Sequence, residues 1–497
     1  MRSVRTQKKF FPSEISVVVT DIIEYVNLKS ALRAKSDEHY PWRLASLLYF
    51  VTWCPAMLFL KARFWDDWAV YYSMSANEQK AFWKGEGNPP YVYEFQRLVL
   101  RDNPTAYHIM WLAMYFILGW IVFKILQSTK FFSHETNRRT ALFFIILPIN
   151  SARVAMIILP YTISVFLFYI AWLMLMNKSR LISYCSIGIF ALSFYTPSVL
   201  PYFALPVATF VLVGYRDSGK NMKVAMRRAT LILLAPVYYV LISRVIWPPA
   251  ESRTAYFTPQ IPGLIRSSIL LVAALTIALW MSKQVKLGNI PKDRAMLLAT
   301  GFLAMAFGSV AYFASGRLVD MSEWLSFFVP RSSSWDSRSQ LLHGLGWSML
   351  LAGLVGPVNT YLKKVGYRFI VAVCVILNFT FMLGYYTDYL KQESMMQSFE
   401  EENLEPNSII MIRDNTNQFN ARGRNVRSYE WEAMILKATG LTKTVIDEAY
   451  VNCSPHAEIP DLFITINPGW GRLSTLVRRD AGMEVSYDEI APCKKTK

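Results

Sequence analysis

Charge is scarce in this sequence. Only 18% of its 497 residues are Asp, Glu, Lys or Arg, where a soluble chain of this length would carry about a quarter. Histidine and cysteine are rarer, with five of each. No His/Cys metal spacing, no Ser-His-Asp arrangement and no glycine-rich phosphate loop occurs in the polar tail, and the short basic loops hold no nucleotide-binding motif. The first forty residues offer no cleavable signal peptide, because Asp21 and Glu24 fall inside their only apolar stretch.

Apolar residues make up 53% of the chain. They fall in blocks of about 18 to 22, the length a helix needs to cross about 30 Å of hydrocarbon. The blocks lie near 43–62, 105–126, 140–158, 160–177, 181–199, 201–215, 229–246, 267–282, 295–314, 341–362 and 368–387. They predict a polytopic α-helical membrane protein of about eleven transmembrane helices, with Pro148 and Pro160 interrupting the run 140–177. Ahead of them, Ile15, Val18, Val19, Ile22, Ile23 and Val26 recur at helical spacing. Residues 14–28 therefore read as an amphipathic helix, lying on the membrane surface or packed on the cytoplasmic ends of the bundle.

The net charge of +17 would suit nucleic acid, but its distribution points to a membrane instead. Lys and Arg concentrate in alternate connections, at 1–43, 124–139, 178–180, 216–228, 283–294 and 363–368. This positive-inside pattern predicts a cytoplasmic amino end, contact of the basic loops with anionic lipids, and no nucleic-acid partner. An odd number of spans then divides the chain into a cytoplasmic segment 1–42, a membrane module 43–387 and an extracytoplasmic tail 388–497. Cys54, Cys185 and Cys374 sit in apolar spans. Cys453 and Cys493 fall together in the tail, where a disulfide would persist and close a loop of about forty residues. Strand-like Ser408–Ile412, Thr444–Ile446 and Asp461–Ile466, with helix-like Ser428–Ala438, make the tail a small α/β domain after a polar helix or linker over Tyr385–Glu402.

The long connections on the outer face are 63–104, 247–266 and 315–340. The first holds helix-like Asn77–Trp83 and Tyr91–Arg101, separated by Gly85-Glu86-Gly87-Asn88-Pro89-Pro90. It opens on Phe64-Trp65-Asp66-Asp67-Trp68. Adjacent carboxylates at a membrane surface can hold a divalent metal or supply a general base with a raised pKa. Trp65 and Trp68 would suit stacking on a sugar ring; the plainer alternative is a solvated helix end with interfacial tryptophans. Basic residues near the outer ends of later spans are all arginine: Arg153, Arg244, Arg253, Arg266, Arg317, Arg331 and Arg338. Guanidinium binds phosphate bidentately, which ammonium cannot. Arg331 and Arg338 stand out because they flank Ser332-Ser333-Ser334-Trp335-Asp336; headgroup anchoring is the competing role for the set. His108 and His343, at the outer ends of two spans, are candidates to donate to a phosphate or act as acid or base, or else structural hydrogen-bonders.

A cytoplasmic start, one span and a long outer loop opening on an acidic motif resemble the GT-C superfamily of integral-membrane glycosyltransferases. Asp66-Asp67-Trp68, and the run Ser337-Arg338-Ser339-Gln340-Leu341-Leu342 entering a late span, are similar to bacterial O-antigen and surface-polysaccharide glucosyltransferase-type proteins. The resemblance implies a GT-C-like fold in a bacterial inner membrane and a periplasmic tail. It also implies a polyprenyl-phosphate sugar donor, a glycan or lipid-linked acceptor, and two interfacial helices in the first outer loop. Asp66 or Asp67 would be the catalytic base of an inverting transfer, and also the ligands of any cation, Mg or Mn. Arg338, Arg331, Arg153, His108 and His343 would bind the lipid phosphate. Many members carry a second acidic motif after span three; this chain has Asn150-Ser151-Ala152-Arg153 there, which makes Arg153 the phosphate-binding substitute. Two other functions compete: a polymerase or ligase acting on a lipid-pyrophosphate-linked glycan, and a lipid-linked sugar flippase.

Overall fold

The computed structural model describes residues 39–489 except 249–257, 317–327, 329–337, 356–360, 448–460 and isolated positions between 178 and 481. The amphipathic segment 14–28, Arg253, Arg317, Arg331 and the pair Cys453 and Cys493 lie outside the described residues. Among the described residues, seven helical stretches are long and apolar enough to cross a membrane: Trp42–Phe59, Pro104–Thr129, Met156–Leu175, Val199–Asp217, Ile261–Lys286, Lys292–Ala314 and Lys364–Glu401. Leu181–Ser193, Thr230–Leu241 and His343–Val355 are apolar but shorter. They fall within three more of the expected blocks. Helix starts carry ordinary signals. Asn103 caps α4 (Pro104–Thr129) by accepting from the Ala106 N–H at 3.2 Å, with proline next. Ser75 and Glu78 form a capping box on α2 (Ala76–Gly85).

The block expected near 140–158 is not a spanning helix. Helix α5 (His134–Ile146) stops at Leu147, which is extended, and the chain continues through Asn150 at φ 48° and two short 3-10 turns. Every residue from Ala141 to Pro160 is buried. Non-helical backbone at this depth needs partners from within the protein. Trp53 Nε1 donates to the Ile145 carbonyl at 2.9 Å, and Asn378 Nδ2 donates to that of Ile146 at 2.5 Å. The stretch after the break leads into α6 (Leu159–Leu175).

Later in the bundle, α10 (Ile261–Lys286), α11 (Lys292–Ala314) and α12 (His343–Val355) pack through glycine. A Cβ on Gly263 would come within 2.4 Å of the Phe313 and Ala314 carbonyl oxygens, and one on Gly301 within 2.9 Å of the Gly346 carbonyl. Small residues at such crossings let backbones approach, as membrane helices require.

The last spanning helix, α13 (Tyr361–Glu401), runs without interruption for 41 residues. Of the two readings of Tyr385–Glu402, polar helix or linker, the helix holds, as the continuation of the span. Beyond it lie β1 (Ile409–Asp414), α14 (Ser428–Thr439), β2 (Thr444–Asp447), β3 (Leu462–Pro468), α15 (Arg472–Arg478) and β4 (Met483–Glu489). The sheet order is β2-β1-β3-β4, parallel except for β4. The α/β pattern was readable up to β3, while α15 and β4 were not anticipated. The sheet buries Ile410, Ile412, Ile464 and Ile466, and Met483 at its edge.

Candidate functional site

The first long loop begins with a tight turn. Trp65 sits at φ 57°, a left-handed conformation uncommon for a bulky side chain. The turn directs the two neighbouring carboxylates differently. Asp67 is fully buried: its Oδ2 accepts from the Phe64 N–H at 3.0 Å and the Met156 N–H at 2.9 Å, and its Oδ1 from the Ile157 N–H at 2.8 Å. It fastens the loop to the backbone freed by the break ahead of α6. Burial lifts its pKa to about 7, with the three N–H donors acting in the opposite direction and the Asp66 charge adding to the rise.

Asp66 is half-buried, and its carboxylate accepts a hydrogen bond from the Tyr429 hydroxyl on α14. Burial and the Asp66 carboxylate both raise the Tyr429 pKa, so the phenol stays protonated as a donor. Other groups of α14 and of the stretch before it gather around this contact. Arg424 forms an ion pair with buried Glu430, and its guanidinium lies 5.6 Å from the Trp65 ring centre. The Lys437 ammonium lies 5.3 Å from the Trp68 ring, and Arg63 lies 5.7 Å from it. Trp65 and Trp68 are buried beneath these cations. Neither presents an open ring face, so the sugar stacking expected of them is not available in this arrangement. Arg63 in turn pairs with Asp102 at 2.6 Å, joining the two ends of the loop.

A small cavity of about 190 Å³ lies inside the loop, between α2 and α3 (Pro90–Phe95). Its lining includes Tyr71, Trp83, Tyr93, Gln96 and Tyr107. Gln96 Nε2 donates to the Tyr71 hydroxyl at 3.1 Å, which reaches the Met156 carbonyl at 3.5 Å. The cavity wall and the Asp67 lock thus share Met156. Among the described residues, the buried Gln96 Oε1 has no hydrogen-bond partner.

Arg153 is buried in the broken stretch, its guanidinium 3.8 Å from the Trp53 ring centre, 4.2 Å from Tyr115 and 5.3 Å from Trp111. Its Nε and Nη2 lack partners among the described residues. An aromatic box stabilises a cation, and the unfilled donors suit an oxyanion. The histidines are placed otherwise. His108 Nδ1 lies 2.9 Å from the Leu60 carbonyl and 2.8 Å from that of Pro104, tying the first span to α4. His343 Nε2 contacts Ser309 Oγ at 2.8 Å, with the ring stacked on Phe328. Both are fully buried and hold helices together. Arg338 is half-buried and partnered.

No family model, curated protein or solved structure matches this chain. The geometry therefore carries the functional reading alone. Backbone N–H groups engage both Asp67 oxygens, so its carboxylate serves first to hold the loop. Among the described residues no three His, Cys, Asp or Glu side chains converge. Sequence reasoning missed Tyr429, Arg424 and Lys437, which lie more than 350 residues from the Trp65, Asp66 and Trp68 that they meet; no local signal marks them.

Proposed function

We propose that this chain is a membrane glycosyltransferase. It would transfer a sugar, with inversion, from a polyprenyl-phosphate donor to a glycan or lipid-linked acceptor on the face opposite the basic loops. The amino end would be cytoplasmic, and the C-terminal sheet extracytoplasmic in a bacterial inner membrane. The observation that carries the reading is the unequal acidic pair. Asp67 is consumed in holding the loop, while among the described residues Asp66 is held through the side chain of Tyr429, which an incoming acceptor hydroxyl can replace.

In the transfer, the acceptor oxygen attacks the anomeric carbon as its proton passes to the Asp66 carboxylate. The bond from that carbon to the phosphate oxygen breaks, and the phosphate leaves with the electron pair. A general base of this kind contributes about 10²- to 10⁴-fold. Arg153 supports the same reading as the phosphate partner, since two of its donors are unfilled. Asp66→Asn, assayed in membranes with extracted lipid-linked sugar, should lose at least about a hundredfold in transfer at unchanged thermal stability. Full activity of that variant would overturn the assignment.

The broken stretch before α6 favours one other reading, a lipid-linked sugar flippase, because transporters place broken helices at their substrate sites. Flux of labelled lipid-linked sugar across vesicles, without covalent transfer and insensitive to Asp66→Asn, would select it.

A further inference from the structure

A second and larger cavity, about 610 Å³, lies among the helices at the face that carries the basic connections. Its size is that of a ligand site. Ile125 of α4, Trp172 of α6, Leu212 and Met296 supply walls from four different helices. The walls are mostly apolar, and their Thr209 is already engaged. Thr209 Oγ1 accepts from Trp172 Nε1 at 3.0 Å and donates to the Pro206 carbonyl at 3.0 Å. The wall belongs to spanning helices, so an apolar occupant would enter from the hydrocarbon.

The rim is basic. Lys130 follows α4 at φ 53°, Lys292 opens α11, and Arg216 donates to the Thr129 carbonyl while pairing with Asp217. All three border the cavity, with Asp293 the one acidic residue among its lining. Among the described residues Lys130 and Lys292 form no ion pair. Apolar walls under a cationic rim match a molecule with a hydrocarbon chain and an anionic phosphate. The site is far from Asp66, because α4 spans about 39 Å between the first long loop and Lys130.

We propose that this cavity holds one acyl chain of an anionic phospholipid from the leaflet on the basic face, with its phosphate between Lys130, Arg216 and Lys292. The site is separate from the transfer chemistry at Asp66 and does not depend on it.

The test uses the full chain exchanged into mixed micelles of phosphatidylglycerol and phosphatidylcholine, with bound lipid read by native mass spectrometry. The wild type should retain one phosphatidylglycerol with about tenfold preference or more. Lys130→Gln/Lys292→Gln, both at exposed positions, should lose that preference. Leu212→Trp, at a side chain exposed to the cavity, should lose the retained lipid altogether. Equal retention of the two lipids by the wild type, or an unaltered preference in the lysine variant, would overturn the proposal. So would preferential retention of a polyprenyl phosphate added in competition. Loss of transfer in Asp66→Asn bears only on the glycosyltransferase reading, and loss of lipid preference only on this one.

Discussion

A carboxylate that already accepts three backbone N–H groups has little left to offer an acceptor hydroxyl, and Asp67 is in that position. Its neighbour carries the same group one residue earlier and keeps an exchangeable partner. The difference shows in how each tolerates amide replacement. Asp67→Asn turns one oxygen into an NH₂ facing a backbone N–H in a buried site. That should cost about 3–5 kcal/mol of stability, seen as a large fall in the unfolding midpoint in detergent, whereas Asp66→Asn should unfold with the wild type. An Asp67→Asn midpoint equal to wild type would show that the lock is not needed. Glu430 gives a pH signature on the other side of the same contact. Burial raises its pKa from 4.5 to about 7 against the pull of Arg424. The folded protein thus binds the proton more tightly than the unfolded chain. The resulting stabilisation is complete below pH 4.5 and is lost as pH climbs through about 7. Glu430→Gln should flatten this decline by up to about 3 kcal/mol, leaving the same-signed part from Asp67. A thermal-stability profile of the variant that parallels the wild type would refute it.

At the level of elements, the break between α5 and α6 joins the first long loop to the bundle. Pro148 and Pro160 announce a disruption in the sequence, but hydropathy cannot separate a disrupted span from a buried irregular stretch, since both are apolar. That is why the block at 140–158 read as a helix. What distinguishes the two is partnering, and Trp53 and Asn378, which satisfy the helix end, come from distant segments. The glycine contacts were hidden for the same reason: each is one residue whose meaning depends on what crosses it. A Cβ on Gly346 would fall 2.4 Å from Met305 Cγ and 2.8 Å from the Gly301 carbonyl, while one on Gly188 meets nothing within 4 Å. Gly346→Ala should therefore cost about 1–3 kcal/mol. Gly188→Ala, in the interior of α7 (Arg180–Ser193), should be neutral or stabilising by up to about 1 kcal/mol. Unfolding of the two variants side by side separates crowding from helix propensity, and equal effects would refute the packing argument.

For the whole molecule, α13 is the structural link, running from the bundle to the sheet without a joint. Block length and loop charge made the membrane class, and most of the spanning segments, legible. The meeting of Asp66 with Tyr429 was not, because it depends on how α13 docks the C-terminal sheet and α14 against the first loop. That docking is held by a buried pair. Lys391 on α13 donates to Asp414 at the end of β1 and to Asn420 Oδ1 at 2.7 Å, and it is 1% exposed. Asp414 also accepts from the Thr416 N–H at 2.9 Å, so its carboxylate stays oriented whether or not the lysine is present. Removing the lysine leaves a largely buried anion, so Lys391→Met should destabilise by about 3–5 kcal/mol. Replacing both partners removes the uncompensated charge, and Lys391→Met/Asp414→Leu should recover a large share of that loss. A double-mutant cycle read by unfolding measures the coupling, expected at about 1–3 kcal/mol. Additive losses of stability would mean that the ion pair is incidental and that apolar packing along α13 alone positions the sheet.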